Sequence, residues 1–189
     1  MTIAVDDVRL VERCRQGDSA GVREFLERFQ GPVFGVCLRW LGHRQDAEDV
    51  TQETLVRAVR HLSHWDATRP LMPWVLTIAV NRCRTLAGKR NRRGVGLEHG
   101  ETMAAPHQRL STTDLGEELQ LALAELRDEY RTCFVLFYQQ EQSCQQIAEI
   151  LNCPEGTVKT WLHRARKELA ETLKRRGVVT EDGYELHGF

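Results

Sequence analysis

The chain has 189 residues, 41% hydrophobic and 28% charged, enough for one modest core or two small ones and too few for a large multi-layer sheet. No stretch reaches the roughly 18 uncharged apolar residues that a membrane span needs, and "MTIAVDDVRL" carries acids where a signal peptide carries bases. A cytoplasmic protein without membrane insertion is expected. The formal net charge of −1 is a balance of acidic and basic blocks, so the distribution of charge is more informative than its sum.

From about Val8 to Arg93 apolar residues recur at three- and four-residue spacing, which predicts successive helices punctuated at Gly17, Gly31-Pro32, Gly42 and Arg69-Pro70. Residues 1–93 are expected to form a first helical domain. Within it, "DAEDVTQETLVRAVRHL" puts Ala47, Leu55, Ala58, Val59 and Leu62 on an apolar side and Asp46, Asp49, Glu53, Arg57 and Arg60 on the exposed side. That pattern suits a solvated helix supported by its own ion pairs. A divalent-metal site on Asp46, Glu48, Asp49 and Glu53 is a sharper alternative, weakened by competing arginines and by the lack of an interleaved histidine.

The loop from about His61 to Pro73 holds His61, His64 and Trp65, a planar surface among hydrogen-bonding groups that suits an unstacked base. The next helix is expected to bury Val75, Ile78, Ala79 and Leu86, with Asn81 and Arg84 one turn apart on another face and Trp74 in the core. It ends in Arg82, Arg84, Lys89, Arg90, Arg92 and Arg93, with no acid after Asp66, a run that attracts phosphate without sequence preference.

Between 94 and 113 glycines, Pro106 and Ser111-Thr112-Thr113 replace the periodicity, as in a flexible linker. Helical spacing resumes at Leu115, Leu119, Ala122, Leu123 and Leu126, giving a second domain over 114–176 and a short acidic tail over 177–189. In this domain Ser143 and Gln146 have the capping-box form, Ile147, Ala148 and Leu151 give the buried face of a short helix, and Asn152-Cys153-Pro154 breaks it. A second helix from about Glu155 buries Val158, Leu162, Ala165 and Leu169 and presents Lys159, Thr160, His163, Arg164 and Lys167, with Trp161 and Arg166 at its edges. This is a helix-turn-helix with a basic face, able to lie in a major groove; a helical hairpin with a solvated basic face remains the alternative on spacing alone. The fold expected is all-α, two small helical domains on a flexible linker, the second containing the helix-turn-helix. The six cysteines, scattered singly with no C-x-x-C pair, read as reduced and mostly buried.

The segment "SCQQIAEILNCPEGTVKTWLHRARKEL" closely resembles the promoter-reading module of bacterial sigma factors, in the pattern carried by Ile147, Ala148, Leu151, Gly156, Thr157, Val158, Lys159, Leu162, Arg164, Ala165 and Arg166. "DAEDVTQET" resembles the segment with which those factors dock on RNA polymerase. The order of the two modules, with only a linker between, resembles the small extracytoplasmic function (ECF) group. The resemblance implies core polymerase binding at Asp46, Asp49, Gln52 and Glu53, and minus-10 capture and melting at His61, His64, Trp65 and Asn81, with Arg82 and Arg84 in the basic run beside them. It implies minus-35 reading by Lys159, Thr160, Trp161, His163, Arg164, Arg166 and Lys167. It also implies no catalytic residue, no metal or cofactor, and a cognate anti-sigma partner. The sequence departs from the family pattern at Trp161, at Cys144-Gln145, and at Glu141, where glycine is usual in the turn. Three rivals remain: a free-standing helix-turn-helix regulator, a carboxylate metalloenzyme acting on nucleic acid, and a redox sensor using Cys144 and Cys153.

Overall fold

The computed structural model describes residues 5–92 and 112–178, and these form helices α1 (Val5–Arg15), α2 (Ser19–Leu41), α3 (Arg44–Arg60), α4 (Leu71–Arg92), α5 (Thr112–Glu125), α6 (Asp128–Tyr138), α7 (Cys144–Leu151) and α8 (Glu155–Arg175), with one 3-10 turn, Leu62–His64. All but two residues of the expected linker, and the tail beyond Val178, lie outside the described residues.

Three of the four expected breaks fall where they were placed, Arg69-Pro70 lying between the 3-10 turn and α4. Gly17 and Gly42 follow α1 and α2 at φ 78° and 72°, a left-handed conformation that glycine adopts without a Cβ penalty. Asp18 then caps α2 by accepting the amide of Ala20 at 2.9 Å. Gly31-Pro32 does not break the chain: α2 runs through Pro32. A proline inside a helix forfeits one backbone hydrogen bond, but Phe25, Phe29, Val33 and Val36 on the same helix are fully or almost fully buried. Their packing outweighs the local preference.

The start of α4 is fixed from a distance. The buried carboxylate of Asp7 on α1 accepts the Leu71 amide at 3.2 Å through Oδ2, and its Oδ1 pairs with Arg28 of α2 at 2.6 Å. One side chain thereby satisfies a helix-end donor and ties three helices together.

In the second half α7 opens on a complete capping box: Gln146 donates its amide to Ser143 Oγ at 3.2 Å, and the Ser143 amide donates to Gln146 Oε1 at 2.8 Å. Asn152 closes α7 at φ 53°, and Pro154 leads directly into α8. Val158, Leu162, Ala165 and Leu169 form the buried stripe of α8, as their spacing predicts.

The two halves are in contact. Val135 and Leu136 of α6 and Ile147 and Ile150 of α7 join Val33 and Val36 of α2 and Val80 of α4 in one continuous apolar core. A smaller core gathers Ala122, Leu123, Leu126, Tyr130, Ala165 and Leu169 from α5, α6 and α8. Trp161 packs half-buried against both.

Candidate nucleic-acid interface

On α8 the buried stripe leaves the opposite side to solvent, where Lys159, Thr160, His163, Arg164 and Lys167 are all exposed. Several are held in place. Lys159 pairs with Glu155 at 2.8 Å, Thr160 donates its hydroxyl to the Gly156 carbonyl at 2.9 Å, and Arg164 donates to the hydroxyl of buried Tyr130 at 3.1 Å. The tie to Tyr130 holds the guanidinium of Arg164 above its ordinary pKa and fixes its direction. Trp161 and Arg166 sit half-buried at the edges, and Arg166 donates back to the Leu162 carbonyl at 3.3 Å. The bulk of Trp161 is therefore spent largely on packing.

Asp46, Asp49 and Glu53 recur at three and four residues along α3, with Asp49 and Gln52 exposed and Asp46 and Glu53 half-buried. Glu53 is bridged by Arg82 from α4 and by Arg57 at 3.2 Å. Partial burial works against its charge, yet the hydrogen bond and charge of Arg82, then those of Arg57, hold its carboxyl below the usual glutamate range. Arg82 is only 24% exposed in its side chain, so in this structure it braces α3 on α4 instead of offering an open phosphate contact. Glu48 is likewise paired, with Arg44 at 2.8 Å. Arginines thus occupy carboxylates that the metal alternative needs.

The expected stacking residue differs from expectation. Trp65 is 8% exposed and belongs to the continuous core, with its indole Nε1 buried and unpartnered. The short 3-10 turn points Leu62 and Trp65 inward and leaves His61 and His64 exposed, their rings 5.5 Å apart. Trp74 packs half-buried against the same core and, together with Trp65, lines a cleft of about 590 Å³ with His64, Asp66, Arg69 and Thr77. Trp74, Thr77, Asn81 and Arg84 fall at spacings of three, four and three, one stripe of α4, and Asn81 and Arg84 are exposed. That helical spacing was the signal available in the sequence for Trp74 and Thr77.

The far wall of the cleft comes from α7 and its cap: Ser143, Gln145, Gln146 and Glu149. Arg69 bridges the two walls, reaching Glu149 at 3.5 Å and Asp66 at 3.8 Å. The arrangement brings the histidine loop and the α4 stripe together, and sets both against the helix-turn-helix. It does not bring the α3 acids to the same cleft.

The chain matches two family models, Sigma-70 region 2 over residues 25–93 and Sigma-70 region 4 over residues 116–169. It is 33% identical to the ECF RNA polymerase sigma factor SigL of Mycobacterium tuberculosis, over 86% of this chain and 94% of that protein. It is 30% identical to the ECF RNA polymerase sigma factor SigW of Bacillus subtilis, over 87% of this chain and 95% of that one. The chain belongs to the ECF sigma factors.

As a sigma factor it directs promoter-specific transcription, and the free-standing regulator is set aside: region 2 fills the half that a regulator would give to dimerisation or signal binding. The fold agrees with that of the sigma factor RpoE from Bartonella quintana, solved with the anti-sigma factor NepR. There the TM-score is 0.69 at 25% identity, covering 80% of this chain and 96% of that one. CnrH, solved with the cytosolic domain of CnrY, shares the fold at a TM-score of 0.65 and 24% identity, covering 88% of this chain and 96% of that one. Among the described residues no helix is long and apolar enough to cross a membrane.

Proposed function

We propose that this sigma factor divides its work between a region 2 domain over 1–93 and a region 4 domain over 114–176, joined by a linker over 94–113. The first binds core RNA polymerase through Asp46, Asp49, Gln52 and Glu53 of α3. Captured minus-10 bases are held by His61, His64 and Asn81, with Trp74 supplying the stacking face that buried Trp65 does not, and Arg84 holding phosphate. Melting is driven by that capture, since stacking on an aromatic contributes about 1–3 kcal/mol per base.

The second domain lays α8 in the major groove of the minus-35 element. The observation that carries this reading is the division of α8, with Val158, Leu162, Ala165 and Leu169 buried while Lys159, Thr160, His163, Arg164 and Lys167 face solvent behind a fully capped α7. Arg164 suits a guanine edge, and Lys159 and Lys167 suit phosphates. Its partners on this reading are core RNA polymerase, promoter DNA and an anti-sigma factor. The last is supported by the relatives solved with such proteins. It works in the cytoplasm and catalyses no covalent step of its own.

In vitro transcription with bacterial core polymerase on a pool of promoter fragments tests the reading. Discrete starts that share two upstream motifs are expected, and absence of binding to core would sink it.

A further inference from the structure

Cys37 of α2 and Cys83 of α4 meet in the middle of the first half, 46 positions apart in sequence and both fully buried. The Cys83 thiol donates to Cys37 Sγ at a sulfur–sulfur distance of 3.8 Å. All six cysteines are free thiols. A disulfide requires sulfurs about 2.05 Å apart, so the two sulfurs must close by about 1.8 Å, between helices already packed together. We propose that Cys37 and Cys83 are a reversible disulfide site within the region 2 half, oxidised by hydrogen peroxide. Both thiols are buried, Cys83 between Arg82 and Arg84 on α4, and the pair is distinct from Cys144 and Cys153.

The surroundings divide the roles of the two sulfurs. The hydrogen bond from Cys83 holds the Cys37 thiol below its ordinary pKa against its burial, with help from the Thr51 hydroxyl. Cys83 is pushed up, by its bond to Cys37 and by burial. Cys37 is therefore the nucleophile. Its thiolate attacks one peroxide oxygen, the S–O bond forms as the O–O bond breaks, and the departing hydroxide takes the Cys83 proton to become water. The Cys83 sulfur then attacks Cys37, the S–S bond forms, and the sulfenic oxygen leaves as a second water after taking up the proton released by the Cys37 thiol. Two thiols and one peroxide give one disulfide and two waters: sulfur is oxidised and peroxide oxygen reduced. Peroxide is close to water in size and reaches a buried pair through small local openings. The product ties α2 to α4 without using any exposed group, and closes a long loop in the unfolded chain.

The test uses the full-length protein, reduced, freed of reductant, treated in native buffer with graded hydrogen peroxide, alkylated in denaturant and digested with trypsin. A cross-linked peptide joining residues 29–39 to 83–84 is expected, lost on dithiothreitol treatment, and the oxidised protein melts on the order of 5–10 °C higher. In Cys83→Ala a sulfenic acid trapped by dimedone at Cys37 is expected. If that variant does not fold, the wild-type peptide map decides alone. Recovery of both thiols intact while Cys144 and Cys153 oxidise overturns the proposal, as does a cross-link that forms only in urea.

Discussion

Glu141 holds φ at 51° in the turn before α7, a left-handed conformation that costs a residue with a Cβ about 1–2 kcal/mol. The turn is kept although glycine is absent, because its neighbours enforce it. Gln142 is buried, its amide donates to the Leu136 carbonyl at 3.0 Å, and Ser143 opens the capping box. Glu141→Gly is therefore expected to stabilise the protein by about 1 kcal/mol, net of the entropy glycine adds to the unfolded chain, and to raise the melting temperature by about 2–4 °C in calorimetry. The same scale separates the two tryptophans. Trp65→Ala removes a ring that is 8% exposed and should cost about 3–5 kcal/mol of stability, so a loss of open-complex formation in that variant reports unfolding. Asn81→Ala is the cleaner probe, since Asn81 is exposed on α4. It should impair open-complex formation, read by permanganate footprinting, while core binding is unchanged. Equal loss of both would remove Asn81 from the capture site.

At the scale of elements, what was legible in the sequence follows from how local the determinants are. The α7–α8 unit is set by neighbours in sequence: Ser143 with Gln146, Asn152 in the left-handed region, Pro154 ahead of Glu155, and four apolar residues at helical spacing. Each of these can be read without knowing what packs elsewhere. Pro32 could not, because the burial that carries α2 through it comes from other helices. Neither could the depth of Trp65 relative to Trp74: both pack on the core and line the same cleft, and the turn that carries Trp65 lies against α1, far off in sequence. Arg82 reads as one more base in a basic run, and its bridge to Glu53 exists only once α3 lies on α4. On α8, Arg164 is directed by its 3.1 Å bond to Tyr130. Arg164→Ala should cost about 1–3 kcal/mol of discrimination at one minus-35 position and leave core binding intact. Tyr130→Phe should loosen the same discrimination by a smaller factor without removing the charge. Binding titrations on single-base variants of the minus-35 element check both, and unchanged discrimination in Arg164→Ala would count against its assignment.

In the whole molecule the α7 side of the helix-turn-helix half lies against α4, sharing an apolar core with it and meeting Arg69 through Glu149 at 3.5 Å. Minus-10 and minus-35 elements are separated, by their names, by about 25 base pairs, or about 85 Å at roughly 3.4 Å each. Two helical halves in contact cannot reach both. The nineteen residues between α4 and α5, 93–111, can extend to about 60 Å at roughly 3.3 Å per residue, and with the width of the halves themselves this spans the gap. On the proposed assignment of one element to each half, promoter engagement requires α7 to leave α4, which uncovers the cleft lined by His64, Trp74 and Thr77. The Arg69–Glu149 pair is exposed on both sides, at 63% and 44%, so its net contribution is small. Most of the resistance to opening comes from re-exposing apolar residues such as Val135 and Ile147. Fluorophores on bioorthogonal side chains at Asp66 and Gln145, both exposed and both on the cleft, are expected to give high energy transfer in the free protein. Transfer should fall steeply with core polymerase and promoter DNA together, and because this labelling keeps Glu149, the single charge change Glu149→Gln should leave the free-protein signal nearly unchanged. High transfer that persists in an active promoter complex would mean that the halves stay docked during initiation, and the proposed assignment of one element to each half would then fail on distance alone.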